Sequence, residues 1–306
     1  MDYRQLRYFV AVAEELSFSR AARRLHMSQP PLSLQVAAME RELGTRLLER
    51  TRRRVELTQA GQVFLDQARV SLAQLERAAE MARRAGQGEA GELRIAFTGS
   101  VPMVAAFPRL LSALRRTSPL ARVHLMHMAT GHQLQALEER RIDVGILRPS
   151  RYYEPPAQLR LRPLWTDELR AVLPEDHRLA LRRGRVPVAA LAREPFILFP
   201  RELGCGLHEQ VLALCSRAGF APDVVQEARE GATIIGLVAA GLGVSLLPDS
   251  YAKTSIPGVV HARLDTPEAA GRLYIAHRAA DASPLVRRFL ELTRGRSRAA
   301  AEAPAA

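Results

Sequence analysis

Two cysteines in a chain of 306 residues are too few to staple a fold. The chain therefore reads as one that folds on its own core in a reducing compartment, and the expected location is cytoplasmic. No stretch approaches the roughly 18 uninterrupted apolar residues of a membrane helix. The opening MDYRQLRYFV has no basic-then-apolar leader with a small-residue cleavage site. No membrane partner is expected, and a solute-binding protein for uptake, which would need a leader, fits poorly. Catalytic signatures are missing too: there is no G-x-S-x-G elbow and no P-loop, and the eight histidines are scattered. His124 and His127 share one expected strand, where an odd spacing puts them on opposite faces. No enzyme activity, resident metal or cofactor is expected. Lysine is almost absent: Lys253 is the only one among 44 basic residues, and the net charge is +12. That excess favours a polyanionic partner, but so strong an arginine bias also follows from genome base composition, so location says more than the total. Residues 1–58 hold 11 Arg against 7 Asp or Glu, densest at Arg50, Arg52, Arg53 and Arg54.

What is present is clearest in FSRAARRLHMSQPPLSLQVAAME, Phe18 to Glu40. Ala21, Ala22 and Leu25 share a face of one short helix. Leu32, Val36, Met39 and Leu43 recur at steps of four, three and four on a second. The break is His26-Met27-Ser28. Ser28 is expected to cap the second helix through its hydroxyl, and Pro30 and Pro31 fit its first turn, where a missing N–H costs little. Small alanines let the helices approach closely. This is a helix-turn-helix, whose second helix enters a DNA major groove N-terminus first; an ordinary helical hairpin with an Ala-rich core is the plainer alternative. A supporting helix precedes it over Asp2 to Glu15, striped by Leu6, Phe9, Val10 and Ala13, and Ser17 can cap the next. After Leu43-Gly44, the run TRLLERTRRRVELT reads as a small hairpin, or wing, whose turn carries Arg52, Arg53 and Arg54 beside the recognition helix.

Thr58 can cap a long helix, QAGQVFLDQARVSLAQLERAAEMARRAG, in which Phe64, Ala68, Leu72, Leu75, Ala79 and Ala82 form a coiled-coil-type seam. A helix running between two domains has little to pack on except a copy of itself, so a dimer through it is expected. Gly86 to Gly91 reads as a hinge. Beyond it short apolar strands (ELRIAF, ARVHLMHM, RIDVGIL) alternate with helices, which argues a parallel sheet with helices on its faces. The alternation resumes after residue 163 with LRAVLP, PFILFP, GLHEQVLALCSRAGF, DVVQEA and GATIIGLVAAGLGVSLLP, and ends in RLYIAHR and PLVRRFLELTRG.

In order, the first helix, FSRAARRLHMSQPPLS, AAMERELGTRLLER and ELTQAG resemble the LysR-type transcriptional regulators, through the S-Q-P-P/A-[LIV]-S, E-x-x-L-G-x-x-L-[FL]-x-R and L-T-x-A-G runs. GLVAAGLGVSLLP is a further family signature. The resemblance implies an all-α N-terminal winged helix-turn-helix with a small β wing (1–58), and a linker helix for dimerisation with its hinge (59–88). It then implies a two-lobed α/β effector-binding domain resembling periplasmic binding proteins (89–306). Its lobe I would span about 92–162 and 267–295, and its lobe II about 163–266. It places Ser28, Gln29, Pro30, Pro31 and Ser33 where the family reads bases and phosphates, with Gln29 the best base reader because an amide can bond adenine bidentately. Arg53 falls at the wing Arg that enters the minor groove, flanked by Arg52 and Arg54. Leu34 departs from the pattern, where Arg or Gln is common, and Arg54 replaces a frequent Gly. The partners implied are double-stranded DNA at an inverted repeat, further copies of the chain as dimer or tetramer, RNA polymerase and a small effector.

Ligands in such folds bind beyond the carboxyl ends of strands, at helix N-termini. Gly99 and Ser100 after the first strand and Thr130 after the second fit, with Thr130 and Gln133 expected to form a capping box; plain helix capping is the alternative. Both positions suit a carboxylate. ILFPRELGCG and MATGHQ resemble the branch that senses aromatic compounds and ring-cleavage products such as muconates. On that resemblance Ser100, Thr130, Pro200 and Arg201 line the pocket, and Arg148 and Glu230 lie near it, unless Arg148 simply pairs with a surface acid. Some family members sense peroxide through two cysteines here, so Cys205 and Cys215 carry a redox alternative, although Cys215 sits at an apolar helical position.

Overall fold

The computed structural model describes residues 1–51, 54–181, 184–204, 206–253 and 256–301, with side chains described as far as Arg294. The chain forms two compact units, Met1–Arg84 and Ala85–Ala306.

The first unit is built from α1 (Tyr3–Glu15), α2 (Phe18–Arg24), α3 (Gln29–Leu43), β1 (Leu48–Arg50), β2 (Val55–Leu57) and α4 (Gln59–Gly86). Asp2 and Gln5 form a reciprocal capping box at α1, and Ser17 caps α2 by accepting from the Arg20 amide. Phe9, Val12, Ala21, Ala22, Leu32, Val36, Met39, Leu47, Leu48 and Leu65 are packed into one core. Of the stripe expected on α3, Leu32, Val36 and Met39 are buried, while Leu43 at the helix end is exposed. Ser28 does occupy the N-cap of α3, but its side chain makes no capping bond. The reason is local: an N-cap oxygen accepts from the second or third helical amide, and here those residues are Pro30 and Pro31, which have none. At the other end Gly44 takes φ +68°, and the Thr45 amide closes the helix on the Glu40 carbonyl. The wing pairs Leu48 with Leu57 and Arg50 with Val55, antiparallel. Thr58 caps α4 by accepting from Gly61 and donates to the Arg46 carbonyl. A Cβ on Gly61 would stand 2.0 Å from the Leu47 carbonyl oxygen, which is why the L-T-x-A-G run needs that glycine. Along α4, Leu65 and Ala68 are buried and Phe64 meets Phe9 edge-on at 5.2 Å. Further on the helix bares its apolar residues: Leu75 is exposed, as is Met81.

The second unit contains β3 (Ala90–Phe97), α5 (Ala106–Thr117), β4 (Leu120–His127), α6 (Thr130–Glu138), β5 (Val144–Leu147), β6 (Leu159–Pro174), β7 (Pro195–Leu198), α7 (Gly206–Arg217), β8 (Asp223–Glu227), α8 (Gly231–Ala239), β9 (Ser245–Pro248), β10 (Val259–Arg263), β11 (Ala270–Arg278) and α9 (Pro284–Ala301). The sheet is mixed, not purely parallel. Strands β4, β3 and β5 run parallel, but β11 returns beside β5 antiparallel and pairs on its other side with the first part of β6. The second part of β6 pairs with β9 and β10. Strands β7 and β8 join this second lobe through a bridge between Phe196 and Val244. One strand therefore runs through both lobes. Each lobe has its own cores: Leu93, Ile95, Leu110, Ile275 and Phe289 in the first, and Leu173, Leu191, Phe196, Val211 and Cys215 in the second. The expected hinge is shorter than Gly86 to Gly91. Helix α4 persists through Gly86, β3 has begun by Ala90, and Gly88 is pinned by Ser118, whose hydroxyl donates to its carbonyl at 2.8 Å.

Candidate functional site

Two places concentrate the residues singled out above. The first is the outer face of α3. Gln29, Pro30 and Pro31 stand in solvent at its N-terminus and Ser33 is half-buried. The Ser28 hydroxyl makes no capping bond and no hydrogen bond to another described residue. The Gln29 amide is oriented from α2: Ser19 Oγ donates to its Oε1 at 2.9 Å, which turns the Nε2 donors outward. Arg50, counted with the basic cluster, does not point at a partner. Its guanidinium lies 4.6 Å over the Phe18 ring, donates to Ser33 Oγ at 3.4 Å and pairs with Glu40 at 2.7 Å. Glu40 in turn accepts the amides of Leu47 and Leu48 at 2.9 and 3.0 Å. The wing is thereby latched to the recognition helix. Glu40 and Arg50 are the first and last residues of the E-x-x-L-G-x-x-L-[FL]-x-R run. Arg54 pairs with Glu56 at 2.5 Å while staying largely exposed. Arg52 and Arg53 lie outside the described residues. Arg69 of α4 ties back to Glu14 of α1; that hydrogen bond outweighs burial and holds the Glu14 carboxyl below its usual range.

The second place is a cleft of about 490 Å³ between the lobes of the second unit. Gly99, Ser100, Thr130, Arg148 and Glu230 line it; Pro200 and Arg201 do not. Pro200 caps a short 3-10 turn, Arg201–Leu203, which faces Arg201 to solvent; Phe199 and Leu203 are the residues of that run that reach the cavity. Its walls are largely apolar: Phe97, Met103, Met128, Phe199, Leu203 and Tyr251. Three helical starts converge on it. Ser100 opens a 3-10 turn, Val101–Met103, and helix α5 begins only at Ala106. Helix α6 starts one residue earlier than the expected capping box requires, with Ala129 as its N-cap. That box is absent because Thr130 Oγ1 instead donates to the Arg148 carbonyl, and Gln133, fully buried, donates to the Met128 carbonyl at 2.8 Å. Helix α8 has Glu230 as its N-cap, again without a side-chain bond. The N-cap residues of α6 and α8 thus supply no side-chain cap where these helices start at the cavity, one helix from each lobe. Tyr251 closes its floor: a Cβ on Gly231 would stand 2.3 Å from the Tyr251 ring, so the start of α8 tolerates no side chain there.

Arg148 is not on the surface. It is buried, and its guanidinium donates to Asp167 of β6, also buried, so its charge is already matched inside the fold. Arg229 at the cavity mouth pairs with Glu202 at 2.5 Å. Cys215 is fully buried in the core of the second lobe, and burial raises its thiol to about 11. It is thereby kept from being a thiolate near neutral pH. Cys205 lies outside the described residues. Among those residues no group of His, Cys, Asp or Glu has the arrangement of a metal site, and no helix is long and apolar enough to cross a membrane.

Comparison with known proteins covers both units. The signature of the bacterial regulatory helix-turn-helix protein, lysR family, matches residues 3–62, and that of the LysR substrate binding domain matches residues 86–298. The chain is similar to the uncharacterized HTH-type transcriptional regulator YnfL of Escherichia coli (strain K12). It is 46% identical to it over 256 residues, which cover 84% of this chain and 85% of that protein. It is 36% identical to the HTH-type transcriptional regulator AlsR of Bacillus subtilis (strain 168) over 293 residues, 96% and 95% of the two chains. Among solved structures, full-length CbnR complexed with its target DNA superposes with a TM-score of 0.83 at 31% identity, over 96% of this chain and 99% of that one. With one signature over the first unit and the other over most of the second, the chain belongs to the LysR family of DNA-binding transcriptional regulators.

Proposed function

We propose that this regulator binds an inverted-repeat operator as a dimer joined through α4 and responds to a small aromatic or muconate-like carboxylate held between the lobes of its second unit. The observation that carries the effector reading is the cleft's pairing of apolar walls with uncapped amides from α6 and α8. A planar apolar body suits the walls, and a carboxylate suits the amides, whose N-cap residues offer them no side-chain acceptor. Because the two sets of amides come from different lobes, one bound anion draws both toward it. A ligand of that kind shifts the protein only through different affinity for two arrangements; in this reading the arrangements differ in the spacing of the DNA-binding units. The dimer rests on the bared end of the α4 seam, where Leu75, Ala79 and Ala82 are exposed while Leu72 is half-buried. On the DNA side Ser28, Gln29, Pro30, Pro31 and Ser33 read the groove while Arg52, Arg53 and Arg54 approach phosphates or the minor groove.

The test is a thermal-shift screen of the full-length chain against benzoate, catechol, cis,cis-muconate, chlorinated relatives and common amino acids, followed by footprinting with any hit. Stabilisation by a carboxylate, with a changed footprint, is the expected result; no shift with any carboxylate, or an unchanged footprint and transcript level, defeats the effector reading. In the same assays Gln29→Ala is expected to lose preference for the operator over random DNA.

A further inference from the structure

Leu34 on the outer face of α3 has no task in the preceding reading. It is 68% exposed, an unusual state for a leucine in a helix whose Leu32, Val36 and Met39 are completely buried. At about 100° per residue it lies roughly 170° around the helix from that core stripe, at the outermost point of α3. Its neighbours on the outer face are Pro30, one turn before it, and Ala37 and Ala38, one turn after. Gln29 and Ser33 lie together to one side of this face, about 140° and 100° around the helix from Leu34. The polar readers therefore sit beside an outer line that is apolar over Pro30, Leu34 and the half-buried Ala37 and Ala38, and that exposed Arg41 ends one turn later. The Leu34 side chain can neither donate nor accept, and pressing it against phosphate oxygens or base-edge acceptors would strip their water without replacement. One group in the major groove is apolar: the C5-methyl of thymine.

We propose that Leu34 is a specificity-determining residue that packs against a thymine methyl in each half-site, beside the base read by Gln29. This rests on α3 being the helix that enters the groove. Leu34 then fixes a T by the methyl alone, a discrimination that hydrogen bonding does not supply. The small side chains of Ala37 and Ala38 let the helix axis come close enough for that contact.

The experiment begins by selecting preferred sites from random-sequence duplexes with the full-length wild-type chain. Each thymine of the selected site is then replaced in turn by deoxyuridine, which removes the methyl and keeps every hydrogen-bonding group. Wild type, Leu34→Ala and Gln29→Ala are titrated against the set. At one thymine per half-site, deoxyuridine is expected to weaken wild-type binding by about fourfold, the worth of one buried methyl group. Leu34→Ala is expected to bind the thymine site with that same loss already incurred and to be indifferent to deoxyuridine there. If deoxyuridine weakens both proteins equally, or neither at any position, while Gln29→Ala still loses operator preference, the methyl contact is refuted and α3 stands as the reader. If Gln29→Ala keeps its preference, the placement of α3 fails and the Leu34 contact with it.

Discussion

A serine before a helix is an ambiguous residue, and the first unit carries two that resolve differently. Ser17 and Ser28 occupy equivalent N-cap positions with the same extended backbone. Ser17 has the Arg20 amide to accept from; Ser28 faces two prolines. Ser17→Ala is therefore expected to lower the stability of the first unit by about 1 kcal/mol, whereas Ser28→Ala changes it by less than about 0.5 kcal/mol while weakening DNA binding. Paired thermal melts and operator titrations check both, and a Ser28→Ala loss as large as that of Ser17→Ala would remove the case for a serine held free for DNA. The same scale explains what sequence reading misjudged at Thr130 and Gln133. Their spacing suits a capping box, but the side chain of the fully buried Gln133 donates instead to the Met128 carbonyl, a bond that satisfies its amide inside the fold.

Between elements, legibility followed periodicity. The helices of the first unit, the buried stripe of α3 and the seam of α4 all advertise a repeat of three and four residues, and the wing follows from its two short apolar ends. The first half of β6 does not show itself because Pro163 interrupts LRLRPLWT, and a proline ordinarily demotes a run from strand to loop. In the fold Pro163 falls at a register shift against β11, between Leu273 and Tyr274, where a missing ladder donor is tolerated. Long-range pairing is the other thing a linear reading hides. The latch of Glu40 with Arg50 joins α3 to the wing, and nothing in local pattern says so. Glu40→Ala removes the acceptor for the Leu47 and Leu48 amides and strands Arg50 over Phe18. The expected cost is about 2–3 kcal/mol in the first unit, with operator binding falling further than stability because the wing loses its fixed position. Circular dichroism melts and gel-shift titration measure the two effects; equal losses would mean the latch serves stability alone.

For the molecule as a whole, pH acts through groups the fold has moved. Burial, with Arg170 nearby adding to it, holds the His261 imidazole below its ordinary 6.5. The native state then binds fewer protons than the unfolded chain, so stability is full above about 6.5 and declines as pH falls below it toward the folded value. Asp143 opposes burial by accepting from the Arg94 side chain and amide and from Arg278, and its carboxyl lies below the usual range. That stability is present above about 3.9 and is lost only in stronger acid. Two separate losses are therefore expected on acidification, and His261→Gln should abolish the first while leaving the second. Melting temperature recorded from pH 7.5 to 2 for both proteins decides it; an unchanged profile in the variant would assign the upper loss to another group.

The passage of β6 through both lobes bears on how such a molecule can be cut and recombined. Leu159 to Glu168 belong to one sheet and Leu169 to Pro174 to the other, without a loop between them. A crossover placed anywhere in that strand would leave each product holding half of a partner's ladder, with bare edges on both sides. On the proposed effector reading, ligand preference can change by substitution along the cleft walls or by exchange of residues 85 onward in one piece, but not by trading a single lobe.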